Sequence, residues 1–174
     1  PDGLRPERTN YSDVVLIGRL REAIDRINPS IPAEAKEEAV KQVIRLESPD
    51  LVVNNQHFHS LLANGVDVDF RKQDRIVTDK VWLFDFKNLS NNKFLAVNQY
   101  TVIENNHNRR PDVVLFVNGL PLVVIELKNP ADENATALSA FRQFQTYKLQ
   151  IPSLFHFTEI LIASDGFDAK AGTI

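Results

Sequence analysis

Two acids and a lysine flank a short apolar hairpin in this chain. Asp112 follows Pro111, and the triplet Glu126-Leu127-Lys128 comes after the runs Val113–Val117 and Leu122–Ile125. The runs meet at Asn118-Gly119-Leu120-Pro121, and Asn-Gly between apolar segments is a strong hairpin signal because both residues tolerate positive φ. Continuous apolar strands predict burial on both faces. Glu126 and Lys128 are two apart and share a strand face. A turn centred on Gly119 sets Asp112 opposite Glu126, so the carboxylates converge. A strict two-residue Asn118-Gly119 turn would pair 112 with 125 and set the acids on opposite faces. Convergence therefore requires an odd-length loop or a bulge.

Two convergent carboxylates suit Mg²⁺, which takes oxygen ligands and keeps several waters and a substrate phosphate. Such an ion can acidify water and neutralise a phosphoryl oxygen. Lysine adds a compact charge suited to positioning hydroxide or offsetting charge on a pentacovalent phosphate. These are the parts for metal-assisted phosphodiester hydrolysis. The plain alternative is a salt bridge, Glu126–Lys128 or Asp112–Lys128, at a strand end.

Pro111-Asp112 with Glu126-Leu127-Lys128 resembles the PD-(D/E)xK nuclease signature. The wider run from Arg109 to Pro130 closely resembles the N-terminal endonuclease domain of type I restriction enzyme R subunits. Leu20–Pro29, Asn98–Val102, Ser164-Asp165-Gly166 and Ala171-Gly172 are similar to the same family, so the likeness covers roughly residues 11 to 172. The resemblance implies an α/β (mixed α+β) fold, a restriction-endonuclease-like core with a central mixed β-sheet flanked by helices. It implies Asp112 and Glu126 as ligands of Mg²⁺ (or Mn²⁺) and Lys128 as the base-positioning or charge-stabilising group. Gln143 and Tyr147 fit the Gln-x-x-x-Tyr element of RecB-like members. Many members add a fourth acid from the first core helix, and Glu37 is the candidate here. The implied substrate is double-stranded DNA, and the implied partners are methyltransferase and specificity subunits. Rival readings are a catalytically idle domain docking a motor onto partners, and the nuclease domain of another RecB-like helicase–nuclease.

The helix carrying Gln143 and Tyr147 is predicted over 135–149, capped by Asp132 or Asn134. Leu138, Phe141, Gln145 and Leu149 fall on one arc, read as the core stripe. Gln143 and Tyr147 sit together on the other side, with Tyr147 read as serving a cleft or as a half-exposed tyrosine with a solvated tip. Arg142 and Lys148 could meet DNA phosphates or simply be solvated.

At 174 residues, 43% hydrophobic and 25% charged, the chain has the size and composition of one soluble domain. Residues 1–10 are expected to form an irregular lead-in and 11–174 the endonuclease domain. No apolar stretch approaches the roughly 20 residues of a membrane helix, and no signal-peptide pattern is present. Cysteine is absent, which excludes disulfides and Cys-based zinc sites; a cytoplasmic setting is the default expectation. A net charge of −3 implies weak DNA affinity alone, which fits a nuclease module served by other domains or subunits and a protein-docking module equally well. No Gly-x-x-x-x-Gly-Lys-Ser/Thr loop is present, so P-loop ATP hydrolysis is not expected of this chain; the family resemblance implies ATP only for motor domains outside it. Methionine is absent even at position 1. The expectation is a sequence that starts inside a longer one, or lacks modified or disordered residues.

Along the chain, Ser12 or Asp13 is expected to cap a helix with Leu16, Leu20, Ala23, Ile24 and Ile27 inward, ending at Asn28-Pro29. Pro32 opens a second helix over 33–47, with Val40, Val43 and Ile44 inward and Glu37 at the margin, read as a fourth acid or as a side chain that merely solvates an edge. Ser48-Pro49 and Asn54-Asn55 read as breakers, 58–62 as a helical turn, and 66–70 as a strand with Asp67 and Asp69 toward solvent. His57 and His59 read as metal ligands or DNA contacts, or as one packed and one exposed imidazole. Strands are expected at 81–86, 94–103 and 158–163.

Overall fold

The computed structural model describes residues 7–128 and 137–174. Residues 1–6 of the expected lead-in, and the cap expected at Asp132 or Asn134, lie outside these. Three helices come first: α1 (Ile17–Ile27), α2 (Ala33–Ile44) and α3 (Leu51–Asn64). Strands β1 (Val66–Lys72) and β2 (Arg75–Val81) form a separate hairpin. The central sheet contains β3 (Phe94–Asn98), β6 (Val113–Val117), β7 (Leu120–Leu127), β8 (Ile160–Ser164) and β9 (Ala169–Gly172), in the order β3-β6-β7-β8-β9. Strands β4 (Val102–Glu104) and β5 (His107–Arg109) make a small hairpin beside it. Helices α4 (Ala137–Gln150) and α5 (Pro152–Phe155) bridge β7 to β8.

The pair β7–β8 is parallel because this helical crossover returns the chain in the same direction; the other pairs are antiparallel. The result is the expected central mixed sheet flanked by helices. Among the described residues, no helix is long and apolar enough to cross a membrane.

The turn of the β6–β7 hairpin is the anchor of the site. Leu16 N–H donates to Gly119 O at 2.9 Å, so the turn lies against the start of α1. A Cβ on Gly119 would come within 2.5 Å of Leu16 O and 2.9 Å of Leu20 N, and φ is +84°; only glycine fits. Asn118 is fully buried, and its Nδ2 donates to Leu83 O and Asn92 Oδ1, each at 2.9 Å. Its Oδ1 accepts from Lys93 N at 2.9 Å. This contact also corrects the expected start of α1. Its N-cap is Leu16, while Asp13 is occupied by Thr9 Oγ1 and Asn10 N–H, and Ser12 donates to Asn10.

Other boundaries move for local reasons. Helix α2 stops at Ile44, which is exposed, while Ala35, Ala39, Val40 and Val43 form its buried face. Asn54 and Asn55 do not break the chain but sit inside α3. Asn54 accepts from Glu47 and Ser48 N–H, and Asn55 Nδ2 reaches Thr158 O at 2.8 Å. Asp50 caps α3 through Val52 and Val53 N–H, so the helical turn expected at 58–62 is part of a longer helix. Of the strand expected at 81–86, Val81 ends β2 and 82–86 are irregular. The strand expected at 94–103 is broken at Gln99, where φ is +54°. Asp67 and Asp69 point to solvent, as their alternation with buried Val66 and Val68 requires.

Candidate active site

The connection at Asn118-Gly119 is the strict two-residue turn, pairing Val117 with Leu120. Alone it would separate the acids. The register then shifts: Phe116 pairs with Pro121, but Leu115 pairs with Val123, leaving Leu122 as the extra residue of a β-bulge. From there Val113 pairs with Ile125, which sets Asp112 opposite Glu126. Proline cannot donate to the ladder, so Pro121 beside the bulge costs no hydrogen bond. The bulged residue is used from the other side: Glu159 N–H donates to Leu122 O at 2.8 Å. A bulge thus meets the requirement for convergence.

On the shared face, Val114, Phe116, Val124, Leu161 and Ala163 are buried. The opposite face (Val113, Leu115, Val123 and Ile125) is only half-buried, which corrects the expectation of two buried faces. Glu126 continues the buried row with 2% exposure. Its Oε1 is 3.4 Å from Lys128 Nζ, and its Oε2 is buried with no hydrogen-bond partner. Burial, then the negative charge of Asp112, pushes its pKa from 4.5 up to about 7, against the pull of the Lys128 ammonium. Asp112 Oδ1 accepts from Gln99 Nε2 at 2.9 Å and Oδ2 accepts from Leu127 N–H at 2.8 Å.

Helix α4 closes the site with a face other than the expected one. Ala140, Phe144 and Tyr147 are buried against the sheet, whereas Leu138, Phe141 and Leu149 are exposed and Gln145 lies outward. Buried Tyr147 and half-buried Gln143 therefore approach the site beside Lys128 from the packed side of the helix, not from a solvent-facing one. Lys128 Nζ donates to Gln143 Oε1, and Gln143 Nε2 donates to Tyr147 OH at 2.5 Å. Burial raises the Tyr147 pKa, so the phenol stays protonated. Arg142 is exposed, and burial lowers the pKa of half-buried Lys148.

Glu37 is not brought to this cluster. Its carboxylate is bidentate to Arg21 (2.9 and 2.6 Å) on the exposed seam between α1 and α2, and that guanidinium lowers its pKa. His59 pairs with Glu159 at 2.7 Å and His57 lies 3.8 Å from Glu47. Among the described residues, no group of three or more His, Cys, Asp or Glu side chains gathers to hold a metal. Two carboxylates remain, with one buried oxygen unpartnered. That donor set fits an ion such as Mg²⁺, which is commonly held by one or two protein carboxylates and otherwise by water and substrate.

The family model for "Type I restriction enzyme R protein N terminus (HSDR_N)" matches residues 1–174. The chain belongs to this family. The HindI type I restriction enzyme endonuclease subunit of Haemophilus influenzae is 44% identical over 96% of the chain, which covers 16% of that relative. A putative type I restriction enzyme endonuclease subunit of Methanocaldococcus jannaschii, MjaIXP, is 38% identical over 96% of the chain, again 16% of its length. The type I restriction enzyme SauCOLORF180P endonuclease subunit of Staphylococcus aureus is 38% identical over 49% of the chain and 9% of that subunit. The chain thus spans about one sixth of the length of the first two relatives. Within this R-protein N-terminal region, sequence reasoning named Asp112, Glu126, Lys128, Gln143 and Tyr147. It missed the Gln99 amide and the Leu127 N–H, both of which hold Asp112. A backbone donor leaves no residue-type signal, and a left-handed glutamine carries none either.

Proposed function

We propose that this R-protein N-terminal region is a Mg²⁺-dependent endonuclease domain that hydrolyses phosphodiester bonds of double-stranded DNA. One observation carries the reading: the bulge at Leu122 sets Asp112 opposite Glu126, beside Lys128, with Glu126 Oε2 buried and unpartnered. Asp112 and Glu126 would hold Mg²⁺ (or Mn²⁺). When bound, the ion supplies positive charge to the phosphoryl group and makes water a better nucleophile at neutral pH. Lys128 directs an ammonium at the same point and offsets charge gathering on the phosphate oxygens. Gln143 holds that ammonium in place through its carbonyl oxygen, and Tyr147 holds Gln143. Glu126 must lose its proton to serve as a ligand, so a pKa of about 7 makes ion binding sensitive to pH near neutrality.

The net charge of −3 supports delivery of DNA by the rest of the enzyme rather than by this region. The family supports methyltransferase and specificity subunits as partners, with ATP used by motor domains elsewhere in the R protein. The deciding experiment assays the full assembly carrying Glu126→Ala or Lys128→Ala. Loss of cleavage with ATP-driven translocation intact supports the nuclease. Unchanged cleavage would reject it in favour of a docking domain.

A further inference from the structure

Among the described residues, six other than glycine have positive φ: Gln73, Asp74, Gln99, Asn105, Asn106 and Asn118. Five of them lie in the two-residue turns of the β1–β2, β4–β5 and β6–β7 hairpins, where this geometry matches strand twist. Gln99 does not. It lies between β3 and β4, alongside Asp112, and a long side chain lacks the local hydrogen bonding that eases Asn or Asp into this conformation. A non-glycine residue outside a turn with this φ is the kind of local strain that clusters at functional sites.

Its bonds show what the strain accomplishes. Gln99 N–H donates to Asp112 O at 2.8 Å, and the next residue, Tyr100, donates its N–H to Pro111 O at 3.2 Å. In a regular ladder successive N–H groups point to opposite edges of the strand, so two in a row toward one neighbour require the left-handed step. That step also brings the Gln99 amide to Asp112. Nε2 donates to Asp112 Oδ1 at 2.9 Å, and Oε1 accepts from Arg110 Nε at 2.9 Å. The amide has one possible orientation, because guanidinium only donates and an ionised carboxylate only accepts. With Leu127 N–H on Oδ2, each oxygen of Asp112 is held by one donor and keeps one further lone pair.

We infer that Gln99 is a positioning residue for the metal site, fixing the plane of the Asp112 carboxylate so that its remaining lone pairs meet the cation shared with Glu126. This rests on Asp112 being a metal ligand. Outer hydrogen-bonding partners of metal ligands commonly contribute 10–100-fold to ion affinity or activity.

Gln99→Gly is the sharp variant, since glycine adopts φ +54° without strain while the amide is removed. Mn²⁺ binding to the full-length R protein, without nucleotide, is followed by the electron paramagnetic resonance of the free ion. Asp112→Ala identifies the relevant site. The expected result is an Asp112-dependent Mn²⁺ Kd raised about 10-fold or more in Gln99→Gly, with Tm unchanged or higher. Cleavage by Gln99→Gly in the full assembly should recover as Mn²⁺ is raised, whereas that of Asp112→Ala should not. Gln99→Asn, which tolerates positive φ but is too short to bridge Arg110 and Asp112, should show a smaller rise in Kd and covers the case of a poorly folded glycine variant. Equal Kd in wild type and both Gln99 variants, with binding abolished by Asp112→Ala, overturns the role of Gln99 and leaves the nuclease reading standing. Absence of Asp112-dependent binding in wild type overturns both.

Discussion

The two ends of the β6–β7 hairpin both bury polar side chains, with opposite outcomes. At the turn, Asn118 is fully buried and its amide is partnered by Leu83 O, Asn92 Oδ1 and Lys93 N–H. At the other end Glu126 is equally inaccessible, yet Oε2 has no partner and the nearest charges are Asp112 and Lys128. A satisfied buried amide is what structure alone requires. An unsatisfied buried acid raised to about 7 destabilises the folded chain unless something else uses it. One end holds the hairpin, and the other leaves a buried acid unsatisfied where the proposed ion would bind.

The sharpest way to break this contrast is Lys128→Ala. It should lower cleavage by the assembled enzyme about 1,000-fold, roughly 4 kcal/mol of transition-state stabilisation, with the melting temperature little changed. Removing the ammonium also removes the pull that lowers the Glu126 pKa, so the pH at which Mn²⁺ binds half-maximally should rise. A Lys128→Ala enzyme that cuts normally would make the open end of the hairpin as structural as its turn.

The closed end should respond in the reverse manner. Asn118→Ala strands Lys93 N–H and Leu83 O in the interior and should cost about 3 kcal/mol of folding free energy, read from denaturant midpoints. Cleavage per folded molecule should persist. A loss of cleavage without a loss of stability would mean that the turn also shapes the site.

How much of this was legible follows from which physical signals reach the sequence. The hairpin, both acids and Lys128 were readable because apolar runs, Asn-Gly and charge placement are local. The bulge was legible only as a requirement, with Pro121 its one local trace, since register depends on both strands and on Glu159 bonding to Leu122. Helix α4 was placed correctly but turned the wrong way. Leu138, Phe141 and Leu149 look like a core stripe, yet the helix buries Ala140, Phe144 and Tyr147, and periodicity alone cannot choose between two apolar arcs. Of the two readings of Glu37, the structure gives the solvated edge, and its partner Arg21 was not legible because a pairing across two helices is tertiary.

A third test concerns the energetic cost of the open end. The folded-state pKa of Glu126 lies above its ordinary value of 4.5, so the folded chain binds the proton more tightly than the unfolded chain. Its destabilising effect is fully present above about pH 7, shrinks as pH falls from 7 to 4.5, and is absent below that window. Glu126→Gln removes the ionisation and should raise stability at pH 8 by roughly 2–3 kcal/mol, with no advantage near pH 4. Thermal melts of both proteins across that range test the sign. An equally stable Gln variant at pH 8 would show that Glu126 is accommodated without penalty, and the contrast with Asn118 would lose its energetic basis.

The smallest effect is expected at Tyr147, and it tests where the site stops. Its hydroxyl accepts from Gln143 Nε2, while the other end of the same amide accepts from Lys128. Tyr147→Phe removes one acceptor from a half-buried donor but leaves the Gln143–Lys128 contact and the ring in place. The loss of one neutral hydrogen bond corresponds to about 1 kcal/mol, or roughly a 5-fold fall in cleavage. Because burial keeps the phenol protonated, the pH profile should not move. A fall beyond about 100-fold is too large for a support two bonds removed from the chemistry. It would place the hydroxyl on the substrate itself, and extend the open end of the hairpin from the sheet onto α4.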